Sequence, residues 1–199
     1  MKSRRVTAIA ALVLLLALPA AVPAQEDSLW DALRAGGHIV LMRHALAPGG
    51  GDPPGFRLDD CATQRNLSEE GRAQARGIGE GFRSRGIPVD RVLTSQWCRC
   101  RETAALLGLG PVEEYPALNS FFSDRSTGDA QIEELRRFVS RPAPGGNLIL
   151  VTHQVNITGL TGVFPDSGEL VVLRPGPSGS FAVVGRLRTA PALPLRSAS

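Results

Sequence analysis

Two patterns of apolar and polar positions alternate along the chain. Short unbroken apolar runs, His38-Ile39-Val40-Leu41-Met42, Val92-Leu93-Thr94-Ser95 and Leu148-Ile149-Leu150-Val151-Thr152, predict strands buried on both faces of a sheet. Between them, apolar residues return every three or four positions, as on one side of a helix. Residues 27–35 form such a stretch, with Leu29, Trp30 and Leu33 on one side and Gly36-Gly37 as the stop. A second opens at Ser68, carries Glu69 and Glu70 in its first turn, continues through Ala75, Ile78 and Phe82, and ends before Gly86 and Pro88, the residue types that cap and close helices. Helices are also expected over 98–107, over 130–140 with Ile132, Leu135 and Val139 on one face, and briefly after His153. The second and third strands are expected over 91–95 and 147–152, with a further short one near Val112. Segments 169–173 and 181–187 should pair antiparallel through the Pro175-Gly176-Pro177 turn. The alternation predicts a single α/β domain, a mixed and mostly parallel sheet covered by helices on both faces. The Gly- and Pro-rich stretch from Pro48 to Arg57 is too irregular for an element and is placed to form a site wall. No internal repeat is present.

The ends of the chain read differently. Lys2, Arg4 and Arg5 precede an apolar run from Val6 to Leu18, followed by Pro19 and small residues up to Ala24. This is the layout of a cleavable secretory signal over residues 1–24, with Val22 and Ala24 at the two positions that require small side chains. The apolar run is shorter than the ~20 residues of a spanning helix, so no stable membrane insertion is expected after cleavage. The domain then covers 25–188, and residues 189–199, built of Pro, Ala, Ser and Arg, form a loose tail. The net charge of +3 is carried by Lys2, Arg4 and Arg5, so the chain beyond residue 24 is neutral. No basic stripe interleaved with aromatics remains for nucleic acid. A periplasmic or secreted location is expected.

The strands end on chemistry. Arg43-His44 follows the first, Arg99 lies just past the second, and His153 ends the third. In open α/β sheets, ligands bind beyond the C-terminal strand ends. Two guanidinium groups and two imidazoles there suit an anionic, phosphate-like group and a ring nitrogen able to attack it. His38, at the start of its strand, reads as structural, and Arg101 is out of phase with Arg99 and expected to pair with Glu102 or Glu70.

Three ordered blocks carry a resemblance to a known family. They are "LMRHA" at 41–45, "RNLSEEGRAQA" at 65–75 with "RVLTSQWCRCRETA" at 91–104, and "LVTHQVNITGLTG" at 150–162. Over roughly Gly37 to Arg174 the chain resembles the histidine phosphatase superfamily, branch 1, which includes the cofactor-dependent phosphoglycerate mutases. The resemblance implies a phosphoglycerate mutase-like fold and a phosphatase without metal or other cofactor. His44 would attack phosphorus to give a phosphohistidine that water hydrolyses, with its other ring nitrogen bonded to a carbonyl of the Pro48-Gly49 loop. Arg43, Arg99 and His153 would hold the non-bridging oxygens. Arg57, Gln64, Arg65 and Asn66 are expected on the leaving-group side. The family's usual Gly after the motif histidine is Ala45 here.

Both usual proton donors are missing, since the matching positions are Ser120 and Gln154. Asp124 is the expected substitute, ahead of Glu113 or Glu114. Alternatively, the substrate is a phosphohistidine or phosphoramidate whose leaving group needs little protonation, or the chain is a phosphate-binding pseudophosphatase. The expected partner is a phosphorylated small molecule or envelope glycolipid. Of the three cysteines, the resemblance turns Cys100 inward and Cys98 to the rim, favouring a Cys61–Cys98 disulfide over Cys61–Cys100. A zinc site lacks a fourth ligand.

Overall fold

A computed structural model of the protein describes residues 22–142 and 145–188. Residues 1–21, most of the signal expected over 1–24, and the tail from 189 lie outside the described residues. The strands are β1 (Ile39–Arg43), β2 (Val89–Thr94), β3 (Val112–Glu114), β4 (Asn147–Thr152), β5 (Leu170–Pro175) and β6 (Phe181–Leu187). The helices are α1 (Val22–Ala35), α2 (Glu69–Ser84), α3 (Cys98–Leu107), α4 (Gly128–Val139) and α5 (Gln154–Thr161). The first helix begins before the expected residue 27, and the residue-24 boundary falls within it. Ser68 caps α2 by accepting from the Gly71 amide. No helix among the described residues is long and apolar enough to cross a membrane.

The six strands lie in the order β3-β2-β4-β1-β5-β6. Strands β1 to β4 run parallel, while β5 and β6 are antiparallel to their neighbours. Because successive side chains on a strand point to opposite faces, β1 divides its apolar run between two cores. Val40 and Met42 join Leu33, Ile78, Phe82 and Leu107 under α1, α2 and α3. Ile39 and Leu41 join Leu118, Leu135, Val139 and Ile157 under α4 and α5. Unbroken apolar strands are therefore the signature of this two-sided cover.

Two glycines set how closely α2 can approach. A Cβ on Gly79 would stand 1.9 Å from the Leu107 carbonyl oxygen, and one on Gly71 would stand 2.0 Å from that of Leu46. Only a residue without a side chain lets α2 lie against α3 and the strand-β1 exit loop at that distance. Cys61, in a 3-10 turn before α2, is bonded to Cys98 at the start of α3, and Cys100 is free and buried. The disulfide and the Gly79–Leu107 contact thus fix the same helix pair at both ends.

Candidate active site

Parallel register brings the candidate residues together. Arg43 is opposite Thr152 in the β1–β4 ladder, and the His44 and Ser95 amides donate to the Thr152 and Val151 carbonyls. His44, Ser95 and His153 therefore each stand one residue beyond a strand end at one edge of the sheet. Arg99 follows in the first turn of α3. A cavity of about 160 Å3 at this edge is lined by Arg43, His44, Arg65, Arg99 and His153, by Gly49 to Asp52 of the loop, and by Ser120, Phe122, Ser123, Gln154 and Val155.

His44 is buried, and its Nδ1 lies 2.8 Å from the Ala45 carbonyl oxygen. A carbonyl only accepts, so Nδ1 holds the proton and Nε2 the lone pair. Burial, together with the charges of Arg99, Arg65 and Arg43, pushes the ring down to about 3 and keeps it neutral. The tautomer is fixed by the next residue in the chain, not by the Pro48-Gly49 loop, because the strand end turns sharply enough for a local bond.

The second histidine is fixed by a relay. The Ser95 hydroxyl donates to Asn119 Oδ1 at 3.2 Å, having one hydrogen to give. It must then accept from His153 Nε2, 2.9 Å away. The His153 lone pair is left on Nδ1, facing Arg99 Nη2 at 3.4 Å. Burial first, then the neighbouring positive groups, hold His153 well below the ordinary imidazole value. The two rings meet edge to face with centroids 5.5 Å apart.

Arg43 donates from Nη1 to the Pro165 carbonyl at 2.9 Å, and its buried Nε has no partner among the described residues. Arg99 likewise has an unpartnered buried Nε. Its two terminal nitrogens donate to the two oxygens of Asp52 at 2.6 and 3.1 Å. Burial lowers Arg43 and Arg65 from the usual arginine value, Arg99 adding to it in both cases, without discharging groups of this basicity. Three guanidiniums facing one carboxylate give the lining a surplus of positive charge, as an oxyanion requires.

The four expected substrate-side residues separate. Arg65 lines the cavity, with Nε donating to the Gly51 carbonyl at 2.8 Å and Nη1 to that of Ala47. Arg57 points to solvent, ion-paired with Asp60 and Asp59. Gln64 is buried as a cross-brace, accepting from the Cys98 amide and donating to the Arg57 and Leu58 carbonyls. Asn66 donates to the Cys61 and Gln64 carbonyls. The latter three spend their polar atoms on folding the segment before α2, so they do not reach the cavity.

Asp124 is also outside it. It is exposed and caps a 3-10 turn, accepting from the Ser126 amide at 3.0 Å and its hydroxyl at 2.6 Å; these bonds hold its carboxyl below the usual range. Glu113 pairs with Arg91. Glu114 pairs with Arg101, which therefore does not pair with Glu102 or Glu70. Glu102 is taken by Arg72. His38, as expected, is structural, its Nδ1 2.8 Å from the Gly36 carbonyl.

Asp52 and Phe122 line the cavity and Ser95 holds His153, although none of the three stands out in the sequence as a site residue. Asp52 alone carries a signal, as the sole carboxylate between Pro48 and Arg57.

Comparison with known proteins bears on the family and the fold. The family model of the histidine phosphatase superfamily (branch 1) matches residues 39–143. No curated protein matches the chain. Among solved structures, the protein histidine phosphatase SixA complexed with tungstate is 16% identical with a TM-score of 0.55, covering 77% of this chain and 97% of that one. A mycobacterial glucosyl-3-phosphoglycerate phosphatase is 16% identical with a TM-score of 0.53, covering 74% and 97%. A structure described as mycobacterial hydrolase 1 is 15% identical with a TM-score of 0.56, covering 78% and 100%. At such identities the likeness is one of fold. The family match spans more than half of the sequence, and the chain belongs to the histidine phosphatase superfamily, branch 1.

Proposed function

We propose that the protein is an exported phosphatase that hydrolyses a phosphomonoester through a phosphohistidine on His44, using guanidinium groups in place of a metal. One observation carries this reading: a buried, neutral His44 whose Nδ1 is held by Ala45, leaving the Nε2 lone pair in a cavity lined by Arg43, Arg65 and Arg99. In-line attack by Nε2 forms the phosphorus–nitrogen bond and breaks the bond to the leaving oxygen, which departs with the proton of the substrate monoanion, while the Arg43 and Arg99 guanidiniums that line the cavity meet the non-bridging oxygens. Water then attacks the phosphohistidine and returns His44. The natural partner is a phosphorylated small molecule or envelope glycolipid met in the periplasm or outside the cell. The signal-like leader, ending in small residues at Ala24, supports this location.

A second reading has its own support. Asp52, the one carboxylate in the lining, is bound to Arg99, so a phosphohistidine or other phosphoramidate, whose nitrogen leaves more readily, also suits the site. The name of the SixA neighbour, a protein histidine phosphatase, points the same way.

The test is hydrolysis of p-nitrophenyl phosphate, an alkyl phosphate and a phosphoramidate by the purified protein, each with and without His44→Ala. Turnover of all three that requires His44 supports the phosphomonoesterase. Turnover confined to the phosphoramidate selects the second reading. Tight phosphate binding without any turnover identifies a pseudophosphatase and overturns both.

A further inference from the structure

Asp52 has no role in the reaction just described, yet its carboxylate accepts four hydrogen bonds at the site. Its oxygens accept from Arg99 Nη1 at 2.6 Å and Nη2 at 3.1 Å, from Trp97 Nε1 at 3.0 Å and from the Arg65 amide at 3.2 Å. Both side chains of the ion pair are more than nine-tenths buried, at 3% and 6% exposure. A carboxylate anchored by four donors is not poised to deliver a proton. Burial alone would raise its pKa, but the hydrogen bonds and charge of Arg99 outweigh that and hold it below the usual carboxylate range.

Its effect on Arg99 can be counted in hydrogens. A guanidinium has five N–H bonds in a rigid fork. Two go to Asp52, one to the Arg65 carbonyl at 3.3 Å and one toward His153 Nδ1 at 3.4 Å. The fifth, Nε–H, is the buried donor without a partner. The fork that clasps Asp52 is thus held so that its weakest contact, toward His153 at the cavity, is the one a ligand can displace.

The same short loop also holds Arg65. Gly49 and Gly51 adopt φ values of 90° and 71°, which side chains disfavour. These turns bring the Gly51 carbonyl onto Arg65 Nε and place Asp52 on Arg99.

We propose that Asp52 is a positioning residue: it orients the Arg99 fork toward the phosphoryl group and fastens the Pro48–Arg57 loop across the site. This rests on the phosphatase reading above. When phosphate arrives, Asp52 stays on the terminal nitrogens and the ligand takes the position facing His153. The negative carboxylate also tempers the affinity of the cavity for free phosphate, which favours product release.

The test compares the parent, Asp52→Asn and Asp52→Glu on p-nitrophenyl phosphate and on an alkyl phosphate, with inorganic phosphate as competitive inhibitor and His44→Ala as the control for the reading itself. Asp52→Asn is expected to lower kcat by roughly 10- to 100-fold, the size of a misplaced contact. The loss should be equal on both substrates, and inhibition by phosphate should be no weaker than in the parent. Asp52→Glu, which keeps the charge, should recover part of kcat. Should Asp52→Asn fail to fold, Asp52→Glu alone carries the test, with an equal loss on both substrates and retained phosphate inhibition. Unchanged kcat in the variants overturns the positioning role while leaving the phosphatase intact. A loss confined to the alkyl phosphate overturns it in favour of proton donation by Asp52. Absence of His44-dependent turnover in the parent overturns the phosphatase reading, and this role with it.

Discussion

Ser95 Oγ lies 2.9 Å from His153 Nε2, although 58 residues separate the two in the chain. The contact exists because β2 and β4 are parallel neighbours whose ends are offset by one residue, Thr94 lying opposite Val151. It fixes His153 with its lone pair on Nδ1, toward Arg99, and so makes the ring an acceptor in the free protein.

That tautomer predicts the pH dependence. His153 is held neutral well below the ordinary imidazole value, so a proton shared between Nδ1 and a phosphoryl oxygen must arrive with the substrate. The monoanion of a phosphomonoester carries that proton, and the dianion, which forms above pH ~6, does not. The expected result is a kcat/KM that is flat below pH ~6 and falls about tenfold per pH unit above it. Because His44 titrates only at about 3, no acid limb from the nucleophile should appear above pH ~4. Ser95→Ala frees the tautomer and should lower kcat by about 3- to 10-fold, the worth of one hydrogen bond. A pH–rate profile rising from pH 5 to 8 would contradict this assignment.

Substitution of the cations should separate ligand contacts from surface pairs. Arg43→Ala and Arg99→Ala each remove a charge-assisted contact of roughly 2 to 4 kcal/mol, about 30- to 1,000-fold in rate. Arg101 pairs with Glu114 at 3.3 Å with both side chains about half exposed, so Arg101→Ala should change kcat less than about 2-fold and stability by no more than ~1 kcal/mol. Asp124→Asn should leave alkyl and aryl phosphate hydrolysis equally unchanged. Steady-state kinetics on the four variants is sufficient.

The thiols offer a chemical check on the same helix. Cys100 is buried and its thiol is pushed up to about 12 by burial, so it should resist alkylation in the native protein. One thiol should react after denaturation without reductant, and three after reduction. Closing a loop over 37 residues contributes on the order of 3 to 4 kcal/mol in the chain-entropy account. Cys61→Ser should therefore lower the unfolding midpoint markedly, read by mass after alkylation and by thermal denaturation.

Two glycines of α2 should respond in opposite directions. Gly77 is exposed and a Cβ there meets nothing within 4 Å, so Gly77→Ala should stabilise by about 0.5 to 1 kcal/mol through helix propensity. Gly79→Ala would press a methyl into the Leu107 carbonyl and should destabilise by about 1 to 3 kcal/mol as α2 is forced away from α3. Denaturant titrations of the two variants test the packing directly.

The sequence by itself determined the element order, the two-sided cover of the sheet and the four residues Arg43, His44, Arg99 and His153. These follow from local properties: an apolar run needs burial on both faces, Ser68 before Glu69 caps a helix, and a charged residue at the end of such a run emerges at the sheet edge. Helix α3 and strand β4 have the bounds the pattern predicts, and the Cys61–Cys98 pairing is the one favoured at the outset. What only the tertiary structure decided is how polar side chains divide their hydrogen bonds among neighbours distant in sequence. Arg57, Gln64 and Asn66 resemble Arg65 in composition and position, but backbone carbonyls and Asp60 consume their donors, while Arg65 reaches across to the Gly51 loop. Asp124 lies in the right segment but is spent on Ser126. Asp52, in a stretch legible only as irregular, meets Arg99 because two glycines turn the loop inward, and no periodicity encodes a contact made across such a turn.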